Sequence, residues 1–209
     1  MKNFIQNAAL IFVSILMFSC SSTEKKKEIT AKDILGNPAY LAMSYGGYRE
    51  NTRDIQPTIA ELKEDMKILS AAGIKVLRTY NTKLMEASNL LEAISQLKKE
   101  DSNFEMFVML GAWIDCENAW TDAPNHDLED EVANSGEIER AIEMTNKYPD
   151  IVKIIAVGNE AMVHWATSYY VQPSVILKWV NYLQESKNTG KLPADLWITS
   201  SDNFAYWGG

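Results

Sequence analysis

The most constraining feature of the sequence is the segment 151–160, Ile-Val-Lys-Ile-Ile-Ala-Val-Gly-Asn-Glu. Its nearly continuous run of apolar, mostly β-branched residues is typical of a strand that is buried on both faces. The run stops at Gly158, and Asn159 and Glu160 follow directly. In parallel α/β sheets and barrels, ligands bind at the carboxyl ends of the strands. The segment therefore predicts either a functional glutamate at a strand end or a Gly-Asn-Glu turn that caps a helix.

Composition narrows the class of protein. Hydrophobic residues make up 46% of the 209 residues, which is enough for one globular core. The net charge of −8 argues against binding to nucleic acid, because neutralising phosphates requires clustered Lys and Arg. After the amino terminus, no apolar run reaches the ~18 residues of a membrane span.

The amino-terminal segment has the pattern of a secretion signal. Lys2 supplies a positive charge, residues 8–18 are apolar, and the segment ends in Leu-Met-Phe-Ser-Cys at Cys20. This pattern resembles the bacterial lipoprotein signal, in which the cysteine is lipidated and becomes the mature amino terminus. The alternatives are a plain secretory signal or a short membrane anchor with an incidental cysteine. We predict a signal peptide over 1–20, lipidation of Cys20 and a solvated tether over 21–38.

Cysteine and acidic residues give no support for a metal site. Cys116 is the one cysteine besides Cys20, which excludes a disulfide within the mature domain and a cysteine-based metal site. A thiol nucleophile paired with His126 or His164 is an alternative, but an unpaired, partly buried thiol is the expectation. The acidic run 127–131 lacks the alternating ligand spacing of a calcium loop. We therefore predict no metal and no cofactor.

Strand and helix signals alternate along the chain. The Thr58–Glu61 spacing is that of a capping box, Asn134 or Ser135 is the expected cap of the third helix, and Pro173 is placed to begin the fourth. An unusually long connection, 113–134, follows the third strand, and such connections are usually functional or disordered. The strands are predicted over 40–46, 74–80, 104–112, 151–160 and 196–200.

Strict alternation predicts a parallel sheet with right-handed crossovers. No glycine-rich phosphate-binding loop follows any strand, which removes the main support for a nucleotide-binding fold. Polar and aromatic residues instead follow every strand, as in a (β/α)8 TIM barrel. Because such a barrel typically needs ~250 residues, we expect 39–209 to hold about the first five βα units of one.

Four motifs at the predicted strand ends carry a family resemblance. They are Ser-Tyr-Gly-Gly-Tyr-Arg-Glu over 44–50, Leu-Arg-Thr-Tyr over 77–80, Gly-Ala-Trp-Ile-Asp over 111–115 and Val-Gly-Asn-Glu over 157–160. In this order they resemble glycoside hydrolase family 17, the β-1,3-glucanases and related retaining barrel enzymes. The resemblance runs from about residue 40 to 207.

The resemblance implies roles for named residues. Glu160 takes the position of the general acid/base, and Asn159 that of the hydrogen-bond partner of the sugar 2-hydroxyl. The family's nucleophile, a glutamate at the end of a seventh strand, has no counterpart among these 209 residues. Trp179 and Trp197 are expected in the core. Tyr45, Arg78 and Tyr80 match positions that line the family's cleft. The residues that could offer flat faces to sugar rings are Trp113, Trp120, Trp165, Tyr169, Tyr170 and Trp207, of which we expect Trp113 and Trp165 in the cleft.

The resemblance also implies a function. Retaining glycosidases use two carboxyl groups, one as acid/base and one as nucleophile. The expected activity is hydrolysis of β-1,3-glucan of the laminarin type. The protein is expected in the bacterial cell envelope, at the outer membrane or cell surface, and its lipid anchor is the one expected attachment to the membrane. A β-1,3-glucan transglycosylase and a non-catalytic glycan-binding lipoprotein are the alternatives.

Overall fold

The computed structural model describes residues 28–208. Cys20 and the predicted signal peptide lie outside the described residues, as does most of the predicted tether. The strands are β1 Leu41–Ser44, β2 Ile74–Arg78, β3 Phe107–Ala112, β4 Cys116–Glu117, β5 Asn125–Glu129, β6 Val152–Asn159 and β7 Trp197–Ser201. The helices are α1 Ala31–Ile34, α2 Ile59–Ala71, α3 Met85–Glu100, α4 Glu131–Lys147, α5 Pro173–Asn188 and α6 Phe204–Gly208.

Five strands form one parallel sheet in the order β1-β2-β3-β6-β7. The order follows the chain because each strand is connected to the next by a helix, as the alternation predicts. Residues 28–208 form no closed barrel, since β1 and β7 each pair with one neighbour only. The parallel α/β architecture is therefore confirmed, whereas closure into a TIM barrel stays a prediction.

Helix α2 shows how the sequence defines an element. The backbone N–H of Glu61 donates to the Thr58 hydroxyl at 3.3 Å, and the Glu61 carboxylate accepts from the Thr58 backbone N–H at 2.8 Å. These reciprocal bonds are the predicted capping box. Leu62 and Met66, one turn apart, are fully buried. Gly73 ends the unit with φ of +84°, a conformation that glycine adopts without strain.

The predicted start of α4 was wrong. The helix begins at Glu131, and the side chain of Asp130 caps it by accepting from Ala133 N–H at 3.0 Å. Asn134, an expected cap, is buried and bonds both backbone groups of Asp115 instead. The connection before the helix is not irregular throughout, because β4 and β5 pair there as an antiparallel hairpin.

The core lies between the sheet and its helices. Strand β6 is buried on both faces from Val152 to Gly158, as its composition predicts. Trp179 is 6% exposed and confirms its assignment to the core. Trp197 is 42% exposed, so its predicted core position was wrong: it begins β7, an edge strand. Cys116 is a free, buried thiol.

Segment 28–38, predicted as tether, contains the short helix α1. Ala31 and Ile34 of this helix are buried, and Ile34 packs against Val76 and Phe107 of the sheet. None of the helices within 28–208 has the length and apolar character needed to cross a membrane.

Candidate active site

The parallel register brings the carboxyl ends of the strands to one edge of the sheet. Ser44 of β1 pairs with Arg78 of β2, and Asn159 of β6 pairs with Ser201 of β7. Six of the predicted site residues therefore lie at this edge or within two residues after it: Tyr45, Arg78, Tyr80, Trp113, Asn159 and Glu160. The edge is the place where parallel sheets bind ligands.

A bulge at the end of β6 sets the direction of Glu160. The pairing of β6 with β7 shifts between Val157 and Asn159, and Gly158 has φ of +76°. This φ favours glycine, and a Cβ at Gly158 would also lie 2.9 Å from the Ile176 side chain. Glu160 itself has φ of +47°, which is rare for a residue with a side chain. Its backbone N–H is held by the Ser201 carbonyl at 2.9 Å.

The carboxyl group of Glu160 is half-buried and has one side-chain hydrogen-bond partner among residues 28–208. Asn203, just after β7, donates from Nδ2 to Glu160 Oε1 at 3.0 Å. The neighbouring Asp202 accepts the backbone N–H groups of Met162 and Asn203 at 2.7 and 2.8 Å. The Asp202 carboxylate thus orders the turn after β7 and places Asn203 against Glu160.

Asn159 is oriented by an arginine from a strand that is not its neighbour. The guanidinium Nη2 of Arg78 donates to Asn159 Oδ1. The same guanidinium lies 5.1 Å from the centroid of the Tyr80 ring, a cation–π distance. The Arg78 Nε is buried and has no hydrogen-bond partner within 28–208. Since Oδ1 of Asn159 accepts from Arg78, the amide N–H2 group of Asn159 remains as a donor toward a ligand.

Aromatic residues after β3 extend the site. Trp113 donates from Nε1 to Asp115 Oδ1 at 2.7 Å, and Trp120 donates to the same oxygen at 3.2 Å. The ring of Tyr169 lies 5.0 Å from Trp113 and 4.9 Å from Trp120, between centroids. We call Trp113, Trp120 and Tyr169 the aromatic wall.

The Tyr169 hydroxyl of the aromatic wall interacts electrostatically with nearby carboxylates, including that of Glu160. Burial raises the pKa of the Tyr169 hydroxyl, and the nearby carboxylates of Glu160, Asp202 and Asp115 raise it further. Burial also raises the pKa of Asp115, against the lowering effect of the two indole donors. The Tyr169 hydroxyl therefore lies near the carboxylates of both Glu160 and Asp115.

The side chain of Glu137 holds the backbone segments that follow β2 and β3. It is 4% exposed, and its carboxylate accepts from Thr82 N–H at 2.7 Å, Lys83 N–H at 3.0 Å and Trp113 N–H at 3.3 Å. Arg140 adds an ion pair at 3.1 Å. This buried carboxylate ties the segments after β2 and β3 together, so its role is structural.

The side chains of two predicted binding residues have surroundings other than the group just described. Tyr45 is 8% exposed, and its hydroxyl donates to Asp65 of α2 at 2.6 Å. Gly47 packs against it so closely that a Cβ there would lie 2.6 Å from the Tyr45 hydroxyl. Trp165 is 60% exposed and lines a surface pocket with Tyr206. No hydrogen bond within 28–208 joins either side chain to Glu160, and their binding roles stay predictions.

Sequence reasoning offered Trp120 and Tyr169 among six aromatic residues that could stack on sugar rings without favouring them, and it assigned Asn203 and Asp115 no role in the site. For Asn203 the signal was present, since Asp202 and Asn203 follow a predicted strand as Asn159 does. Tyr169 and Trp120 lie in long connections, and no periodic pattern indicates which aromatic ring in a loop turns toward a cleft. Their place becomes visible only through the bonds Cys116 N–H to Tyr169 carbonyl and Trp120 N–H to Ser168 carbonyl, which join the two loops.

Chemically, the site offers a carboxyl group next to amide and guanidinium donors and aromatic faces. Such a set suits a neutral, hydroxyl-rich ligand whose rings present C–H faces. Within 28–208, no group of three His, Cys, Asp or Glu side chains is arranged to hold a metal ion.

One solved structure is closely similar to this chain. It is the crystal structure of an endo-laminarinase from Formosa Hel1_33_131, with 66% sequence identity and a TM-score of 0.84. The match covers 86% of this chain and 46% of that chain, so this chain spans about half the length of the relative. No protein-family model matches the sequence, and no curated protein matches it. At this identity the two chains share their architecture over the matched region.

Proposed function

We propose that the protein is a β-1,3-glucan hydrolase that cleaves laminarin within its chain. The observation that carries the proposal is the 66% identity to an endo-laminarinase. Glu160, next to Asn203, Asn159 and Arg78 at the edge of the sheet, adds a reactive carboxyl group with ordered donors around it. We also propose that the protein is a member of glycoside hydrolase family 17 and that its sheet is part of a closed TIM barrel.

In the proposed mechanism, Glu160 is the general acid/base of a retaining double displacement. It protonates the glycosidic oxygen as the bond to the leaving sugar breaks, and a second carboxylate attacks the anomeric carbon. Glu160 then removes a proton from the water that hydrolyses the glycosyl-enzyme. Asn159, whose oxygen is engaged by Arg78, directs its N–H2 group to the sugar 2-hydroxyl. The family resemblance implies that the second carboxylate lies at the end of the seventh strand of the barrel, which is not the strand labelled β7 above. We assign it to none of residues 28–208.

Asp202 is not a candidate for that second carboxylate. Two backbone N–H groups occupy its oxygens, and these bonds order the turn that holds Asn203. Asp115 is committed to the indoles of Trp113 and Trp120. Both carboxylates have structural partners that explain their positions.

The proposed activity is tested by incubating purified protein that includes the strand predicted to carry the second carboxylate with laminarin, and with a β-1,4-glucan as control. Release of new reducing ends from laminarin, lost in Glu160→Gln, supports the proposal. Elongated oligosaccharides without net reducing ends indicate a transglycosylase, and binding to laminarin without any product indicates a glycan-binding protein. Equal release by wild type and Glu160→Gln contradicts the assigned acid.

We also propose that Cys20 is lipidated and that the protein is anchored in the cell envelope through this lipid alone. Two acyl chains suffice for stable anchoring. The proposal rests on the Leu-Met-Phe-Ser-Cys pattern after an apolar segment. Radioactive fatty acid should label the wild type and not Cys20→Ser, and equal labelling of both contradicts it.

A further inference from the structure

Residues 28–35 lie against the amino end of the sheet. Ile34 of α1 is 3% exposed and packs against Val76 and Phe107, in a cluster that is separate from the main core between the sheet and its helices. Phe107 is the first residue of β3, and Val76 of β2 is its partner in the sheet. The segment that precedes the sheet thus covers the end opposite to the carboxyl edge, where Glu160 lies.

A buried lysine holds the first described residue of this segment. The side chain of Lys153, near the start of β6, is 4% exposed, and its Nζ donates to the Pro149 carbonyl at 3.0 Å. Buried charges in proteins are paired, and the Glu28 carboxylate lies 3.8 Å from this ammonium group. The other acidic side chains around the same small cavity pair with lysines of their own, as Lys75–Glu105 and Lys98–Asp150. Glu28 is therefore held at the amino end of the sheet by charge as well as by sequence position.

The connection from this segment to β1 is ordered by its own hydrogen bonds. The Asp33 carboxylate accepts from Thr30, at 3.0 Å from the backbone N–H and 2.8 Å from the hydroxyl. The Asn37 side chain donates to the Asp33 carbonyl at 2.9 Å and accepts from the Ala39 N–H at 3.0 Å. These bonds, together with the burial of Ile34, make the segment part of the folded domain.

This arrangement limits the distance between the folded domain and Cys20. Glu28 follows Cys20 by eight residues, so the two Cα atoms are at most roughly 29 Å apart in any conformation of the residues between them. If the chain left the domain only at Leu41, the start of β1, the same limit would be roughly 75 Å. The docked segment therefore shortens the maximum reach by more than half, and the reach is measured from the amino end of the sheet.

We propose that residues 28–35 orient the anchored protein, with the amino end of the sheet toward the lipid surface and the carboxyl edge, with Glu160, away from it. The inference rests on the proposed lipidation of Cys20 and not on the proposed reaction. Strand β3 has six residues, so the carboxyl edge lies roughly 20 Å beyond the amino end. In this orientation the edge that carries the candidate acid stays open to a polymer in solution, whereas the reverse orientation would place a bilayer across it.

The test measures energy transfer from a dye on the full lipidated chain to acceptors on the headgroups of phosphatidylcholine vesicles. Asn103→Cys and Ala123→Cys place the dye in exposed loops that precede and follow β3. The dye at 103 should lie roughly 20 Å closer to the headgroups than the dye at 123, about the length of β3. The wild type is the labelling control, because its free thiol at Cys116 is buried.

The role of the docked segment is tested by releasing it. Ile34→Asp places a carboxylate against Val76 and Phe107, so the segment should leave the sheet and the difference between the two dyes should largely disappear. Leu177→Asp is the matched control, because Leu177 is 58% exposed on α5, and it should keep the difference. A flexible Gly/Ser linker of about 20 residues, inserted after Glu24, should remove the difference without any change in the folded domain.

The outcomes separate the orientation from the anchor. Equal flotation of the wild type and Cys20→Ser with the vesicles, or flotation of neither, overturns both. A wild type that floats but transfers energy equally from 103 and 123 overturns the orientation and leaves the anchor standing. A difference that persists in both Ile34→Asp and the lengthened chain overturns the role of residues 28–35. Thermal melting checks the fold of Ile34→Asp, and where that variant is unfolded the lengthened chain decides.

Discussion

The guanidinium of Arg78 on β2 bonds the side-chain oxygen of Asn159 on β6, although β3 lies between these two strands. Strands in a sheet are about 4.8 Å apart, so the bond spans roughly 9.6 Å of sheet at the carboxyl edge. Gly111 of β3 packs closely against the backbone that follows β2, since a Cβ at this position would lie 2.4 Å from the Thr79 carbonyl. The orientation of the predicted sugar-binding amide thus depends on a residue two strands away.

Replacing Arg78 with Lys should lower kcat/KM on laminarin roughly 10- to 100-fold, the scale of a hydrogen bond that involves a charged group. Lysine keeps the charge but has no planar fork to bond Asn159 while lying over Tyr80. Arg49→Lys is the control, since Arg49 pairs with Asp65 at 2.8 Å on α2. Similar rates for Arg78→Lys and Arg49→Lys contradict the role of Arg78.

Replacing Glu160 with Ala should slow the cleavage of laminarin by about 100- to 10,000-fold, the contribution of a general acid/base. An aryl glucoside whose leaving group needs no proton should lose far less in the formation of the glycosyl-enzyme. Pre-steady-state release of the aryl group measures that step directly. Equal losses on both substrates would remove Glu160 from the acid role.

The third prediction concerns Glu86, in the first turn of α3. It is 3% exposed, one of its carboxylate oxygens has no partner within 28–208, and burial raises its pKa to about 7. Because the folded state binds the proton more tightly than the unfolded state, stability falls as pH rises from about 4.5 to about 7. The loss amounts to roughly 3 kcal/mol at most.

Glu86→Gln should therefore raise the melting temperature at pH 8 and leave it nearly unchanged at pH 4. Glu92→Gln is the control of opposite sign, because the Gln96 and Tyr148 donors lower the pKa of Glu92. Its carboxylate stabilises the fold above the unfolded pKa, and that contribution disappears as pH falls. A Glu86→Gln variant that melts below wild type at pH 8 would contradict the prediction.

The fourth prediction concerns the open edges of the sheet. All residues of β1 are exposed, including Leu41 at 51% and Met43 at 45%, and unpaired apolar strand edges promote association. The 209-residue polypeptide should therefore associate in solution. Met43→Lys should reduce the association seen by light scattering, whereas Met85→Lys, at an exposed position at the start of α3, should not. A monodisperse wild-type monomer contradicts the prediction.

The order of the sheet was predictable because local patterns determine it. Apolar runs and the capping box at Thr58 give the elements, and the handedness of the crossovers gives their order. The start of α4 was not predictable by the same means: Asp130, Asn134 and Ser135 are all good caps, and only the buried bonds of Asn134 to Asp115 decide among them. Burial of the Asn134 amide depends on tertiary contacts, which the local sequence does not indicate.

The site was predictable where residues follow strands and unpredictable where they lie in loops. Arg78, Asn159 and Glu160 gain their positions from strand register, which the sequence pattern indicates. Tyr45 also follows a strand, but its hydroxyl bonds Asp65, so the Tyr45 side chain packs between β1 and α2. Such a choice between two faces depends on a partner 20 residues away, and no local pattern encodes it.

The left-handed backbone of Glu160 places stability and activity in opposition at one position. Glycine, or to a lesser degree asparagine, adopts φ of +47° more readily than glutamate does. A laboratory selection for heat resistance alone would therefore favour the loss of the carboxyl group on which the proposed chemistry depends. Persistence of glutamate at this strained position under functional selection would mean that turnover, and not folding, governs the choice of residue.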